Sequence, residues 1–328
     1  MNPVLEVRDL EVDLAIGRGR TTGAVRILDG VSLTVAAGET VALVGESGAG
    51  KTMLALAVMA LLPPGISVVG GSIEIAGEEM VGASNAHVRS VRGRQAAMVF
   101  QDPLSSLHPA FRVGDQVAEA LLVHHTCAHR HEAHARAVEL LASVGVPSPE
   151  ARAHDFPHQL SGGMRQRVMI AMAIANDPRL VIADEATTAL DVTIQAQVLD
   201  VLAVAQARTQ AGMLVVTHDL GVVSAIADRV VVLYAGRVVE EGSVDDVLGA
   251  PAHPYTQGLL RAVPRVTTPT GDLVAIPGQP PDPADRPAGC AFHPRCAFAD
   301  ERCAMELPSL QPVSATRAVA CHHPLVRA

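Results

Sequence analysis

Lys51 is the only lysine in a chain whose other 24 basic residues are arginine. It closes the run Gly45-Glu46-Ser47-Gly48-Ala49-Gly50-Lys51-Thr52, which fits the spacing G-x-x-x-x-G-K-[ST]. Glycines at that spacing let the backbone turn its N–H groups inward around a polyphosphate. A helix starting at Lys51 adds the positive end of its dipole. A compact ammonium suits a crowded phosphate cradle better than a planar guanidinium fork does. Gly45, Ser47, Gly48, Ala49, Gly50, Lys51 and Thr52 are therefore the expected nucleotide contacts, with the Thr52 hydroxyl offered to Mg²⁺.

A second set of acidic groups follows the apolar run Leu180-Val181-Ile182-Ala183, which ends in Asp184-Glu185. A buried strand delivering two carboxylates to its C-terminal end is where ligands bind in parallel sheets. Asp184 is expected to hold Mg²⁺ and Glu185 to polarise an attacking water. Ser161-Gly162-Gly163 opens another helix and forms a second anion-binding terminus. One nucleotide does not need two such termini in one chain, so this one is expected to serve the nucleotide of a second subunit.

These elements imply a fold. Short strands are predicted at Val4 to Val12, Val31 to Val35, Thr40 to Val44, Ser72 to Ile75, Ala96 to Phe100, Leu180 to Ala183 and Met213 to Thr217. Val230 to Leu233 and Val238 to Glu240 read as a hairpin. Helices are predicted from Lys51 to about Leu62, Val113 to about Val144, Gly163 to Ala175 and Val192 to Ala207. Strands alternating with helices give an α/β fold with a mainly parallel sheet. The stretch 102–164 interrupts it as a helical lobe. His124, His125, His129, His131 and His134 crowd the helix predicted there and read as a solvated face rather than a metal site.

Thirteen of the 22 prolines and four of the five cysteines lie in the last 78 residues, so 251–328 reads as a separate loop-rich extension. Cys290, Cys296, Cys303 and Cys321 are spaced C-x5-C-x6-C-x17-C. Their count suits iron–sulfur or zinc ligation, or four plain thiols. The missing C-x2-C pairs lean towards iron. Cys127 stands apart in the helical lobe.

Composition narrows the function classes. At 49% hydrophobic residues the chain supports a core. Its longest apolar run, Met53 to Leu62, is half of what a membrane span needs. The charged start MNPVLEVRDLEVD does not read as a signal peptide. A net charge of −9 argues against nucleic acid as partner.

Leu160-Ser161-Gly162-Gly163-Met164-Arg165-Gln166 resembles the signature motif of ABC transporter ATP-binding subunits. Gln101, Ala189-Leu190-Asp191 and His218 are similar to that family's Q-loop, D-loop and switch histidine. Gln101-Asp102-Pro103-Leu104-Ser105-Ser106-Leu107-His108-Pro109, Gly162 to Ala173 and His253-Pro254-Tyr255-Thr256 resemble the oligopeptide/dipeptide permease branch, and the Gly-Gly-Met wording its D-type ATPase. The resemblance implies a RecA-like core with an antiparallel β subdomain and a helical subdomain in 1–250, and a Cys-rich, Pro-rich extension in 251–328. It implies ATP with Mg²⁺ held by Thr52, Gln101 and Asp184. Catalysis falls to Glu185, Gln101 and His218, and trans contacts to Ser161, Gly162, Gly163 and Asp191. It also implies a [4Fe-4S] cluster on the four tail cysteines. Expected partners are a paralogous F-type ATPase, two transmembrane permeases and, through them, an extracytoplasmic solute-binding protein. The expected location is the cytoplasmic face of the inner membrane.

Two departures stand out. Ala186 replaces the family's usual proline after the glutamate. No aromatic precedes Phe100, so the adenine must pack on something around Thr22 to Arg26, with weaker discrimination against GTP. Rival readings are a soluble ABC-type ATPase on nucleic acid or ribosomes, and an importer of nickel or another non-peptide solute. Only 109 residues separate Lys51 from Ser161, too few for the long coiled coil of DNA-repair members.

Overall fold

The computed structural model of the protein describes residues 3–17, 23–102, 106–186, 192–262 and 275–326. The chain forms two compact units. One comprises Met1–Glu6, Thr34–Glu39 and Glu74–Val215; the other comprises Val7–Leu33, Thr40–Ile73 and Val216–Ala328.

The second unit holds most of β1 (Leu5–Ile16), β2 (Gly23–Val35) and β4 (Ile66–Ile75), side by side in the order β2-β1-β4. It also holds β3 (Thr40–Val44) and α1 (Lys51–Val58). All five β3 residues are buried, as a strand covered on both faces must be. α1 stops short of the predicted Leu62. Its last turn closes at Met59, and Ala60 takes a φ of 52° that no helix continues through.

The first unit adds β5 (Glu78–Glu79), α2 (Asn85–Val91) and β6 (Ala96–Val99). Next come the helices α3 (Val113–Val123), α4 (Arg130–Ser143), α5 (Pro149–Arg152) and α6 (Gly162–Ala173). β7 (Leu180–Asp184), α7 (Val192–Thr209) and β8 (Gly212–Val216) complete it. The strands lie in the order β8-β7-β6, and β6 runs parallel to β7 with Ala96 opposite Leu180 and Val99 opposite Ala183.

The single helix predicted from Val113 to Val144 is corrected to a hairpin. α3 ends at Val123, His125 has a φ of 56°, and α4 starts at Arg130 with His129 as its N-cap. His124, His125 and His129 therefore lie in a turn, not on a helix face. Folding back lets Val117 and Leu121 of α3 and Ala133, Ala137 and Leu140 of α4 all be buried, and Cys127 is buried in the turn. A straight helix has no partner for that stripe.

In the second unit the chain continues through α8 (Leu220–Ile226), β9 (Arg229–Tyr234), β10 (Arg237–Ser243), α9 (Val244–Gly249) and α10 (Pro254–Ala262). It ends with α11 (Glu301–Met305), β11 (Gln311–Ser314) and β12 (Arg317–Val319). β3 pairs in parallel with β9, placing Val44 opposite Val232. β9 and β10 form the predicted hairpin.

The tail does not stand apart from this unit. β12 pairs antiparallel with β10, Val319 opposite Glu240. Tyr255 and Phe292 join Ala42, Val44, Val230, Val232 and Tyr234 in one buried cluster. The Tyr234 and Tyr255 rings lie 4.5 Å apart, and Phe292 meets Tyr234 edge-on at 5.3 Å. Three of only seven aromatics in the chain are spent here, on seating the tail against the strands beside β3. Glu240, fully buried, is matched by Arg317 of β12 at 2.5 Å.

Candidate functional site

The second unit carries the glycine-rich loop. β3 ends at Val44, and Gly45 then runs under the β9 backbone: a Cβ there would lie 2.3 Å from the Leu233 carbonyl oxygen. No other residue fits that approach. The Ala49 carbonyl accepts from Gly236 N at 2.9 Å, which ties the loop to the β9–β10 turn. The buried Lys51 donates from Nζ to the carbonyls of Gly45 (2.8 Å) and Glu46 (3.0 Å). Its ammonium is thus folded back across the loop mouth, while Ser47, Gly48 and Thr52 are exposed. His218 belongs to the same unit. Thr217 N donates to the Leu43 carbonyl at 3.2 Å, so the exposed His218 leaves beside the end of β3.

The first unit carries the acidic pair. Asp184, the last residue of β7, is buried. Glu185 follows with a φ of 47°, a strained conformation for a residue bearing Cβ. Its Oε2 accepts from Gln101 Nε2 at 2.9 Å. Gln101 and Glu185, 84 positions apart in sequence, are brought together by the β6–β7 pairing. Ser161 caps α6, its Oγ accepting from Met164 N at 3.3 Å. Gly162 is exposed, and a Cβ built there meets nothing within 4 Å, so the helix start is open to an incoming group. Asp191, Pro103, Leu104, Ser105 and Thr22 lie outside the described residues. Arg26, at the edge of the expected base site, is held by Glu11, Asp13 and Asp29, which raise its pKa.

Cys290, Cys296, Cys303 and Cys321 line one small cavity together with His253, Phe292 and Phe298. All four are free thiols. Burial pushes each pKa up, Cys321 to about 11, and neighbouring cysteines add to the rise for Cys290, Cys303 and Cys321. Backbone N–H groups of Phe298 and His323 point at the sulfurs of Cys296 (3.4 Å) and Cys321 (3.3 Å). Four converging sulfurs that resist ionising alone, two of them with N–H donors, form a donor set that a cationic centre would stabilise. At the rim, Asp300, Cys303 and His323 bring ligand atoms within 4.8 Å of one another. Cys127 belongs to the α3–α4 turn in the other unit.

Sequence reasoning missed the residues that tie this tail to the phosphate loop and to β2. Arg295 forms a two-pronged pair with Glu46, at 2.6 and 3.0 Å. Tyr255 Oη accepts from Glu46 N at 2.7 Å. Arg286 donates to Asp29 Oδ2 (2.9 Å) and to the Arg26 carbonyl (3.0 Å). His253-Pro254-Tyr255 carried only a family resemblance, and no local pattern marks one arginine among 24.

Residues 28–188 match the ABC transporter family, and residues 239–303 match the C-terminal region of oligopeptide/dipeptide transporters. The dipeptide transport ATP-binding protein DppD of Escherichia coli is 44% identical over 96% of this chain and 97% of its own length. The chain belongs to the oligopeptide/dipeptide branch of the ABC transporter ATP-binding proteins. Another member of the branch, the oligopeptide transport ATP-binding protein OppD of Mycobacterium tuberculosis, is 50% identical over 98% of this chain. The chain spans about half the length of that relative, 52%. A dimeric ATP-binding cassette solved with ADP and Pi covers 73% of this chain and 98% of its own, with a TM-score of 0.63 and 26% identity. The α/β cassette fold expected for this branch is thus present. Among the described residues, no helix is long and apolar enough to cross a membrane.

Proposed function

We propose that the protein is an ATPase that powers a peptide importer. The observation that carries the ATPase reading is the phosphate loop, with Lys51 buried behind exposed Ser47, Gly48 and Thr52. The peptide reading rests on the relatives, named for dipeptide and oligopeptide transport. In this reading residues 1–250 are the ATP-binding part and 251–328 the branch-specific extension. Gly45 and Ser47 to Thr52 wrap the phosphates of ATP. Thr52, Asp184 and Gln101 hold Mg²⁺, which neutralises phosphate charge when bound. Glu185 orients and deprotonates the attacking water, and Gln101 and His218 respond to the terminal phosphate. Ser161, Gly162, Gly163 and Asp191 complete the site of a second ATPase subunit, an F-type paralogue. Two permeases and a solute-binding protein make up the importer, with this subunit peripheral on the cytoplasmic face of the inner membrane.

The four tail cysteines hold a [4Fe-4S] cluster that staples a proline-rich segment with little core of its own. The Asp300, Cys303 and His323 grouping supports zinc as the second reading. Anaerobic purification with iron, sulfide and zinc analysis separates the two. A metal-free, well-folded tail overturns both.

The test of function is ATP-dependent peptide uptake by the complex in vesicles. Lys51→Ala should abolish nucleotide binding and uptake together. Undiminished uptake with this variant overturns the assignment.

A further inference from the structure

Glu46 places a carboxylate inside a loop that has to accept a polyanion. An uncompensated negative charge there repels every phosphate it faces. The carboxylate is not left to itself. Arg295, with its side chain 5% exposed, takes both Glu46 oxygens. The guanidinium is itself fixed from several sides. Its Nε donates to the Pro277 carbonyl at 2.8 Å, and its Nη1 reaches Tyr234 Oη at 3.4 Å. It lies 5.9 Å from the ring centres of both Tyr234 and Phe292. Glu46 in turn raises the arginine's pKa, so the cation is permanent. From the other side Tyr255 Oη takes the Glu46 N–H.

We propose that Arg295 is a positioning residue for the nucleotide site. It neutralises Glu46 and, with Tyr255, fixes that corner of the phosphate loop, so that the C-terminal extension sets the affinity for ATP. The proposal rests on reading 45–52 as the nucleotide site. It gives the extension a part in the ATP cycle rather than only a fold of its own. Arg295 immediately precedes Cys296 and lies three residues after Phe292, so whatever orders the cysteine cavity orders the guanidinium as well.

The electrostatic form of the argument makes a signature that loss of structure does not. Arg295→Met leaves a bare carboxylate at the loop. Removing that charge in the same chain, as Arg295→Met/Glu46→Gln, removes the need for the arginine. The experiment is equilibrium binding of a fluorescent Mg-ATP analogue to the full-length chain, at low and high salt, with thermal unfolding measured in parallel. Arg295→Met should weaken binding on the order of tenfold, and less at high salt, where exposed charges are screened. The double variant should return to within about threefold of the unaltered chain, and Arg295→Lys should lie between.

Unchanged affinity in Arg295→Met overturns the proposal. So does a loss that Glu46→Gln fails to rescue, since that marks a merely structural arginine. If Arg295→Met does not fold, Arg295→Lys decides: affinity equal to that of the unaltered chain at low salt, with Glu46→Gln also neutral, counts against it. Failure of the underlying reading looks different, because the unaltered chain then binds no Mg-ATP at all.

Discussion

The phosphate loop and the Gln101–Glu185 pair are both expected to meet ATP, yet they differ in backbone and in partners. The loop is gripped by backbone and charge on several sides: Leu233 over Gly45, Gly236 on Ala49, Tyr255 and Arg295 on Glu46, and Lys51 across its mouth. The expected hydrolytic pair is joined by an amide-to-carboxylate hydrogen bond from an exposed glutamine, with Glu185 in a strained backbone conformation. A binding surface gains from being fixed before the ligand arrives, because no ordering cost then falls on binding. A group proposed to act as general base instead carries backbone strain. The difference bears on the proposed function, in which nucleotide binding and hydrolysis fall to different residues.

The sharpest way to break this contrast is Glu185→Gln. It should lower turnover by about 10²–10⁴, the usual cost of losing a placed base, while leaving nucleotide binding intact. Phosphate release and analogue binding on the assembled complex report the two separately, and an equal fall in both dissolves the distinction. Gly236→Ala tests the other side. Its Cβ would lie 2.0 Å from the Ile27 carbonyl oxygen at a φ of 78°. Strain and overpacking together should cost about 3 kcal/mol, read as a lower unfolding midpoint, and nucleotide binding should weaken with it.

Much of this was legible in the sequence. The glycine spacing, the sole lysine and the apolar run before Asp184 each carry their meaning locally, since a turn, a strand and a helix start are short-range affairs. The meeting of Gln101 with Glu185 needed only a parallel pairing of two predicted strands. The turn at His124 to His129 was not legible, because helical periodicity continues through it and only packing of α3 on α4 selects the break. The grip of Arg295 on Glu46 spans 249 positions. Nothing in a run of His, Pro, Arg and Cys says which distant carboxylate it will meet.

Two smaller effects sharpen the comparison from beneath the loop. His253 is buried, its Nδ1 accepts from Tyr255 N at 3.0 Å, and burial lowers its pKa from 6.5 to about 3. The unfolded chain therefore takes up the proton first. Stability is complete above about pH 6.5 and is lost as pH falls towards 3, at about 1.4 kcal/mol per unit. Urea unfolding should show a loss of about 2 kcal/mol by pH 5 that His253→Asn largely removes. Tyr255→Phe takes away only the acceptor for Glu46 N–H. It should cost about 1 kcal/mol and weaken nucleotide binding slightly, with no separate effect on the hydrolytic step.

The pairing of β12 with β10 has a further consequence. β10 would otherwise be a bare sheet margin of unpaired N–H and C=O groups beside Val238 and Val239, and such margins recruit strands from other molecules. Proteolysis between Ala250 and Arg317, with loss of the released piece, would uncover that margin. It would also strand the buried Glu240 without its arginine. The short β11–β12 ribbon thus acts as a guard strip. It covers β10 against edge-to-edge pairing between copies of the protein.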